Sequence, residues 1–211
     1  MNNLRDIVDN STCWYDKDLY TSVNSITAKE PDLIEVKHGS VLKELFDLIP
    51  MSEKTVLDIG CGNAKAHTLI GARQYTGLDL PNNVDTIGKV NYSELDFIKC
   101  DIIFEDNLSF INDYDIILMN AFIDVMEFPF AVLHKVLKEA KNYVIIHRQE
   151  IINSETEIKV NPSYTGVTYH TLLHRGAFNM ILDDCGFEIT HEIDAGFGGN
   201  WRSFLLQNGI C

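Results

Sequence analysis

From about residue 55 onward, apolar positions along the chain fall into two alternating rhythms. Short apolar runs, "TVLDI", "YTGLDL", "FIKCD", "DYDIILMNA" and "NYVIIHR", read as strands. Between and after them lie stretches of helical period: "NAKAHTLIGA", "EFPFAVLHKVLKEA" with Phe130, Leu133, Val136 and Leu137 on one side, and "RGAFNMILDDCG", closed by Gly186. "FEITHEI" and "WRSFLLQ" form a last pair of strands. This alternation predicts an α/β fold, a three-layer sandwich. Its seven-stranded sheet is mostly parallel, carries an antiparallel C-terminal hairpin and is covered by helices on both faces.

Upstream the pattern is helical. Ser40 is the expected N-cap of "VLKELFDLI", whose stripe of Val41, Leu42, Leu45, Phe46 and Ile49 ends at Pro50. Residues 1–50 are therefore expected to form a helical extension, a cap packed on a domain of residues 51–211. The connection 149–173 is long for a compact domain, which suggests a lid or substrate loop. No linker divides the chain.

Composition narrows the function classes. The 211 residues suffice for one ordinary domain with its own core. No apolar run is long enough to cross a bilayer, so no membrane is expected. "MNNLRDIVDN" lacks a basic start followed by an apolar stretch, so no signal peptide is expected either. Five scattered cysteines (Cys13, Cys61, Cys100, Cys185, Cys211) have no zinc or redox spacing, which fits reduced thiols in a cytoplasm. The formal charge of −14 and the lack of a basic cluster disfavour a nucleic-acid partner.

Chemistry concentrates where predicted parallel strands end, the edge at which open sheets bind ligands. Asp58, Gly60, Gly62, Asp79, Asp101 and Asn120 all fall at or just past such ends. Gly60 and Gly62 permit a tight turn and close approach of a ligand to the backbone. A dinucleotide fingerprint would place a third glycine where Lys65 stands, and Asp58 would repel a pyrophosphate. A ligand with a positive centre suits Asp58 better, and a nicotinamide oxidoreductase is disfavoured.

"VLDIGCGNA" resembles motif I of the class I S-adenosylmethionine-dependent methyltransferases, with Ala64 where a third glycine is common. "YTGLDL" is similar to that family's second strand, "FIKCDI" to its third, and "YDIILMNAFIDVMEF" to its fourth strand and following helix. The resemblance spans about residues 50–207. It implies S-adenosylmethionine as cofactor, with Asp79 on the ribose hydroxyls and Asp101 on the adenine amine. The implied cofactor-binding set is Asp58, Gly60, Cys61, Gly62, Asp79, Leu80, Asp101, Ile102 and Asn120. The Asn/Asp-Pro-Pro-Tyr signature of amino methyltransferases is absent, since Asn120-Ala121-Phe122-Ile123 stands there.

Methyl transfer to oxygen needs a base, and a neutral histidine suits pH 7. His147, just past the fifth strand, and His170, in the long connection beside Tyr164 and Tyr169, are the two candidates. Arg148, Glu150, Tyr169 and His174 are the expected acceptor-binding residues. His170 and His174 have four-residue spacing but no third ligand, so no metal is expected. His67 and His134 are read as structural. Trp14, Tyr15 and Trp201 are read as core aromatics, with a pocket wall as the alternative. The expected activity is methylation of a small polar molecule, a sugar or other metabolite, at a hydroxyl. The alternatives are a protein or nucleic-acid methyltransferase and a non-catalytic cofactor-binding module.

Overall fold

A computed structural model of the chain describes residues 14, 15, 29, 31–70, 74–88, 92–163 and 166–209. The expected helices upstream of residue 31 lie outside the described residues, as do Cys13, Tyr164 and Cys211. Three eleven-residue helices, α1 (Lys37–Asp47), α2 (Pro129–Glu139) and α3 (Arg175–Cys185), flank one sheet. Its strands are β1 (Thr55–Ile59), β2 (Gln74–Asp79), β3 (Asp96–Lys99), β4 (Ile116–Asn120), β5 (Tyr143–Ile152), β6 (Glu157–Ser163), β7 (Gly166–His174), β8 (Phe187–Asp194) and β9 (Trp201–Asn208). The order is β3-β2-β1-β4-β5-β7-β6, with β9 on the other edge of β5 and β8 beyond it. Strands β1 to β5 and the β5–β7 pair run parallel; β6–β7, β5–β9 and β8–β9 run antiparallel.

Burial follows the two-residue strand repeat. Val56, Ile116, Leu118 and Ile145 face α1, where they enclose Leu42, Leu45, Phe46 and Ile49. Leu57, Ile59, Ile117, Met119, Val144 and Ile146 point the other way, against Val132, Leu133, Val136, Leu137, Phe178 and Leu182 of α2 and α3. Each such side chain contributes about 1.5–3 kcal/mol by leaving water. Strand parity also decides the site: Asp58 follows Val56, and His147 follows Ile145, onto the α1 side.

Three expectations need correction. The sheet has nine strands, not seven, because the supposed loop 149–173 is ordered pairing. β5 runs on to Ile152, and β6 and β7 form a hairpin whose last residues join β5 beyond the end of β4. Residues 157–160 of β6 alternate polar and apolar, but all four are exposed, so no buried face accompanies the pattern. The helix expected at 63–72 is a short 3-10 turn, Lys65–Leu69, entered through Ala64 in the left-handed region at φ 56°. Finally, α1 begins at Lys37 after Val36, which puts Ser40 inside the helix rather than at its N-cap.

Candidate functional site

The carboxyl ends of β1 to β4, with Arg148 of β5, open on one cavity of about 520 Å³. All nine residues expected on the cofactor line it: Asp58, Gly60, Cys61, Gly62, Asp79, Leu80, Asp101, Ile102 and Asn120. Strand order arranges their positions in a row. Asp101 follows β3, Asp79 ends β2, Asp58 lies near the end of β1, Asn120 ends β4 and Arg148 lies on β5. Four strand intervals of about 4.8 Å make that row roughly 20 Å long.

Asp79 is held by three donors. Gly62 N–H reaches Oδ2 at 2.8 Å; Leu80 N–H and Asn83 Nδ2 reach Oδ1 at 2.7 and 2.6 Å. Burial raises its pKa, while these bonds favour the charged form. Asp58 is fully buried; Tyr75 donates its hydroxyl to Oδ2 at 2.6 Å, and Oδ1 has no partner. Burial pushes this carboxyl up to about 7, with the Tyr75 bond opposing and the Asp79 charge adding. Asp101 Oδ1 accepts from Ile103 N–H at 3.2 Å and from the Tyr15 hydroxyl at 3.3 Å. Tyr15 and Trp14 therefore stand in the cavity wall, the alternative considered for them, whereas Trp201 stacks on His170.

The glycine loop shapes the centre. Gly60 has φ +72°, and a Cβ there would sit 2.3 Å from Phe122 Cδ2. Gly62 has φ +52° with open space where a Cβ would be. An adenosyl group fits these residues on two counts. An enclosed carboxylate oxygen of Asp58 lacks a partner, and the loop leaves room for a ligand beside Gly62.

The residues expected on the acceptor divide. Arg148 lines the cavity, with Nε donating to Asn120 Oδ1 at 3.2 Å. It stands at φ +65°, where the pairing of β5 with β9 shifts register between Ile146 and Gln149. Such a bulge re-aims a side chain. His147 precedes it and is enclosed on the α1 side, outside the cavity lining, with Nδ1 2.8 Å from Ser203 Oγ and Nε2 unpartnered. Burial and the Arg148 charge hold its pKa well below the usual range. His170, Glu150, Tyr169 and His174 belong to the β5–β7 region and do not line the cavity. His170 Nε2 lies 3.1 Å from Glu150 Oε2 without hydrogen-bond geometry, and its ring stacks on Trp201 at 5.3 Å. His174 is the N-cap residue of α3.

One residue not singled out in the sequence lines the cavity, and a second, outside that lining, lies near enough to feel the Arg148 charge. His38, in the first turn of α1, lines the cavity and packs against Phe197 (centroids 5.4 Å, stacked) and His147 (5.8 Å). Burial and Arg148 lower its pKa to about 4. Asp124, just after β4, is buried with Oδ1 unpaired, and burial pushes it up to about 7 against the Arg148 charge. Among the described residues, one surface group has metal-ligand spacing: His134, Asp184 and Cys185. There Asp184 already meets His134 at 2.9 Å and Lys138 at 3.2 Å. No helix among the described residues is long and apolar enough to cross a membrane.

The fold is that of the class I S-adenosylmethionine-dependent methyltransferases. An amino pentose methyltransferase of calicheamicin biosynthesis from Micromonospora echinaspora, CalS10, superposes with a TM-score of 0.61 at 10% identity. That match covers 86% of this chain and 93% of that one. A putative methyltransferase from Haloferax volcanii, solved with the activator Trm112, gives 0.62 at 14% identity over 94% and 97%. Magnesium protoporphyrin IX methyltransferase (ChlM) from Synechocystis PCC 6803 gives 0.57 at 16% identity over 81% and 77%. By sequence, the chain belongs to the family described as "Methionine biosynthesis protein MetW", which it matches over residues 40–149. No curated protein matches significantly.

Proposed function

We propose that this protein binds S-adenosylmethionine and transfers its methyl group to a small polar molecule at a hydroxyl. The observation that carries the reading is one cavity shared by two kinds of group. Its one end has three carboxylates on adjacent strands, and its other has His38, Asn120 and Arg148. When bound, the cofactor supplies a methyl carbon activated by a sulfonium charge.

The chain's residues then bind and align. Asp79 holds the ribose hydroxyls with a carboxylate already oriented by Gly62, Leu80 and Asn83. Such charge-assisted bonds contribute roughly 1.5–3 kcal/mol each. Asp101 takes the adenine amine. Asp58, enclosed and half-satisfied, faces the cationic end, where its ionised form is favoured. Phe122 and Phe197 are apolar walls that help exclude water, and Arg148 with Asn120 orients the acceptor. A charge of −14 argues against a nucleic-acid acceptor.

Calorimetry with S-adenosylmethionine, followed by labelled-methyl transfer to separated fractions of a cell extract, tests the reading. Saturable binding and label in the low-molecular-weight fraction are expected. Label in protein or nucleic acid would replace the small acceptor by a macromolecule. Binding without transfer to any fraction would leave a cofactor-binding module.

A further inference from the structure

We propose that His38 is the catalytic base of this site, taking the proton of the acceptor hydroxyl during methyl transfer. The proposal deepens the methyltransferase reading and rests on it. Among the histidines of the described residues, His38 is the one in the cavity lining. His147 and His170, the candidates at the strand ends, lie outside it. The ring packs against two others, Phe197 of the β8–β9 turn and His147 of β5. The turn itself closes on α1, where a Cβ on Gly196 would sit 3.1 Å from His38 N. His38 Nδ1 is enclosed and has no hydrogen-bond partner. Among the described residues no carboxylate meets Nδ1, as one would in a structural, ion-paired histidine.

Burial first, and the Arg148 charge second, keep the ring neutral. Arg148 and His147 approach from β5, and Asp194 at the base of the β8–β9 turn is engaged with Gly196 and Gly198 N–H. A neutral ring has a lone pair to offer at pH 7. A weak base is enough here. As the oxygen gains its methyl group it approaches an oxonium, a far stronger acid than any imidazolium. The balance is complete: the acceptor O–CH3 bond forms, the S–CH3 bond breaks with its electron pair left on sulfur, and the O–H proton passes to His38.

The test compares wild type with His38→Gln and His38→Ala. Binding of S-adenosylhomocysteine, folding by thermal melting, and transfer of tritiated methyl to a low-molecular-weight extract fraction are measured. Both variants should melt as wild type does and bind S-adenosylhomocysteine within threefold. Both should label at least about 100-fold more slowly at pH 7, with a residual rate that climbs with pH and, for His38→Ala, recovers with added imidazole. [15N]Histidine spectra of the wild-type complex with S-adenosylhomocysteine should show the His38 ring neutral at pH 7. A protonated ring, or variants labelling within threefold of wild type, overturns the base and leaves the methyltransferase reading standing. Should a variant fail to fold, the ring's protonation state in wild type decides. Wild type that neither binds S-adenosylhomocysteine nor transfers label overturns both.

Discussion

Tyr75 on β2 donates its hydroxyl to Asp58 on β1 at 2.6 Å, deep on the α1 face of the sheet. The contact follows from register. Val56 pairs with Tyr75 and Asp58 with Gly77, so an acid and a tyrosine two residues apart along adjacent parallel strands share one face. The bond satisfies one carboxylate oxygen and leaves the other enclosed and unpaired. An acid held in that state, with its pKa raised to about 7, responds to a nearby cation.

S-adenosylmethionine should therefore drive a proton off the protein on binding at pH 7, on the order of half a proton, while uncharged-sulfur S-adenosylhomocysteine should drive off less. Calorimetry in buffers of unlike ionisation heat reads the difference. Equal proton release for the two ligands would remove the sulfonium from the neighbourhood of Asp58. Tyr75→Phe should raise the Asp58 pKa further and increase the release.

Asp79→Ala should weaken S-adenosylmethionine at least tenfold, since one tenfold step corresponds to about 1.4 kcal/mol and the ribose offers two hydroxyls. The same substitution strips acceptors from Gly62, Leu80 and Asn83, so the loop loosens as well. Unchanged affinity by calorimetry would exclude Asp79 from the ribose.

Gly60→Ala should fold less stably by about 1–3 kcal/mol and lose cofactor affinity together. Both effects have one cause: the residue stands at φ +72°, and the added carbon meets the Phe122 ring at 2.3 Å. Gly62→Ala, strained in φ but meeting no neighbour, should lose less stability. Chemical denaturation orders the two; the reverse order would contradict the Phe122 clash.

The cofactor end of the cavity was legible in the sequence because each of its acids closes or follows a strand with a strong apolar pattern. The period of two then carries Asp58 and Asp79 to one face without knowledge of anything distant. The other end was not legible. His38 stands in "KHGS", which reads as a connection when Ser40 is taken as the cap. Only the packing of the β8–β9 turn on α1 brings it to the cavity. The β6–β7 hairpin escaped for another reason: "EIKVNPS" alternates over only five residues before Pro162, and its Ile158 and Val160 stay exposed at the sheet edge, so it looks like a loop. His147 sits where a strand-end histidine should, but the register shift beside it turns Arg148, not His147, into the cavity.

Asp124 gives a stability prediction with a defined sign. Its carboxyl is raised to about 7 in the fold, against an ordinary value of 3.8. Between those values the folded protein binds more protons than the unfolded one. Stability contributed by the neutral carboxyl is thus lost as pH rises towards 7. Asp124→Asn removes that dependence. Relative to wild type, the variant should gain on the order of 2–4 kcal/mol between pH 4 and pH 8 in denaturant titrations. A difference that stays flat over this range would mean that Asp124 is not held neutral.

Arg148 links the histidine pair to the cavity, and its substitution separates backbone from charge. The residue occupies φ +65°, a conformation glycine takes freely and arginine does not, so Arg148→Gly keeps the bulge while deleting the guanidinium. Two causes lower the His38 pKa, burial first and Arg148 second, and only the second is removed. The His38 ring should then titrate above its present value of about 4 but still below the ordinary 6.5, whereas Arg148→Lys, which retains a positive charge, should move it less. The low-pH edge of the methyl-transfer rate should move upward with it, because a ring that charges at higher pH loses its lone pair sooner. Histidine titrations by NMR read the first effect and the rate profile the second. A His38 pKa that ignores the loss of Arg148 would put the guanidinium too far away to tune the base, and would leave burial alone to keep the ring neutral.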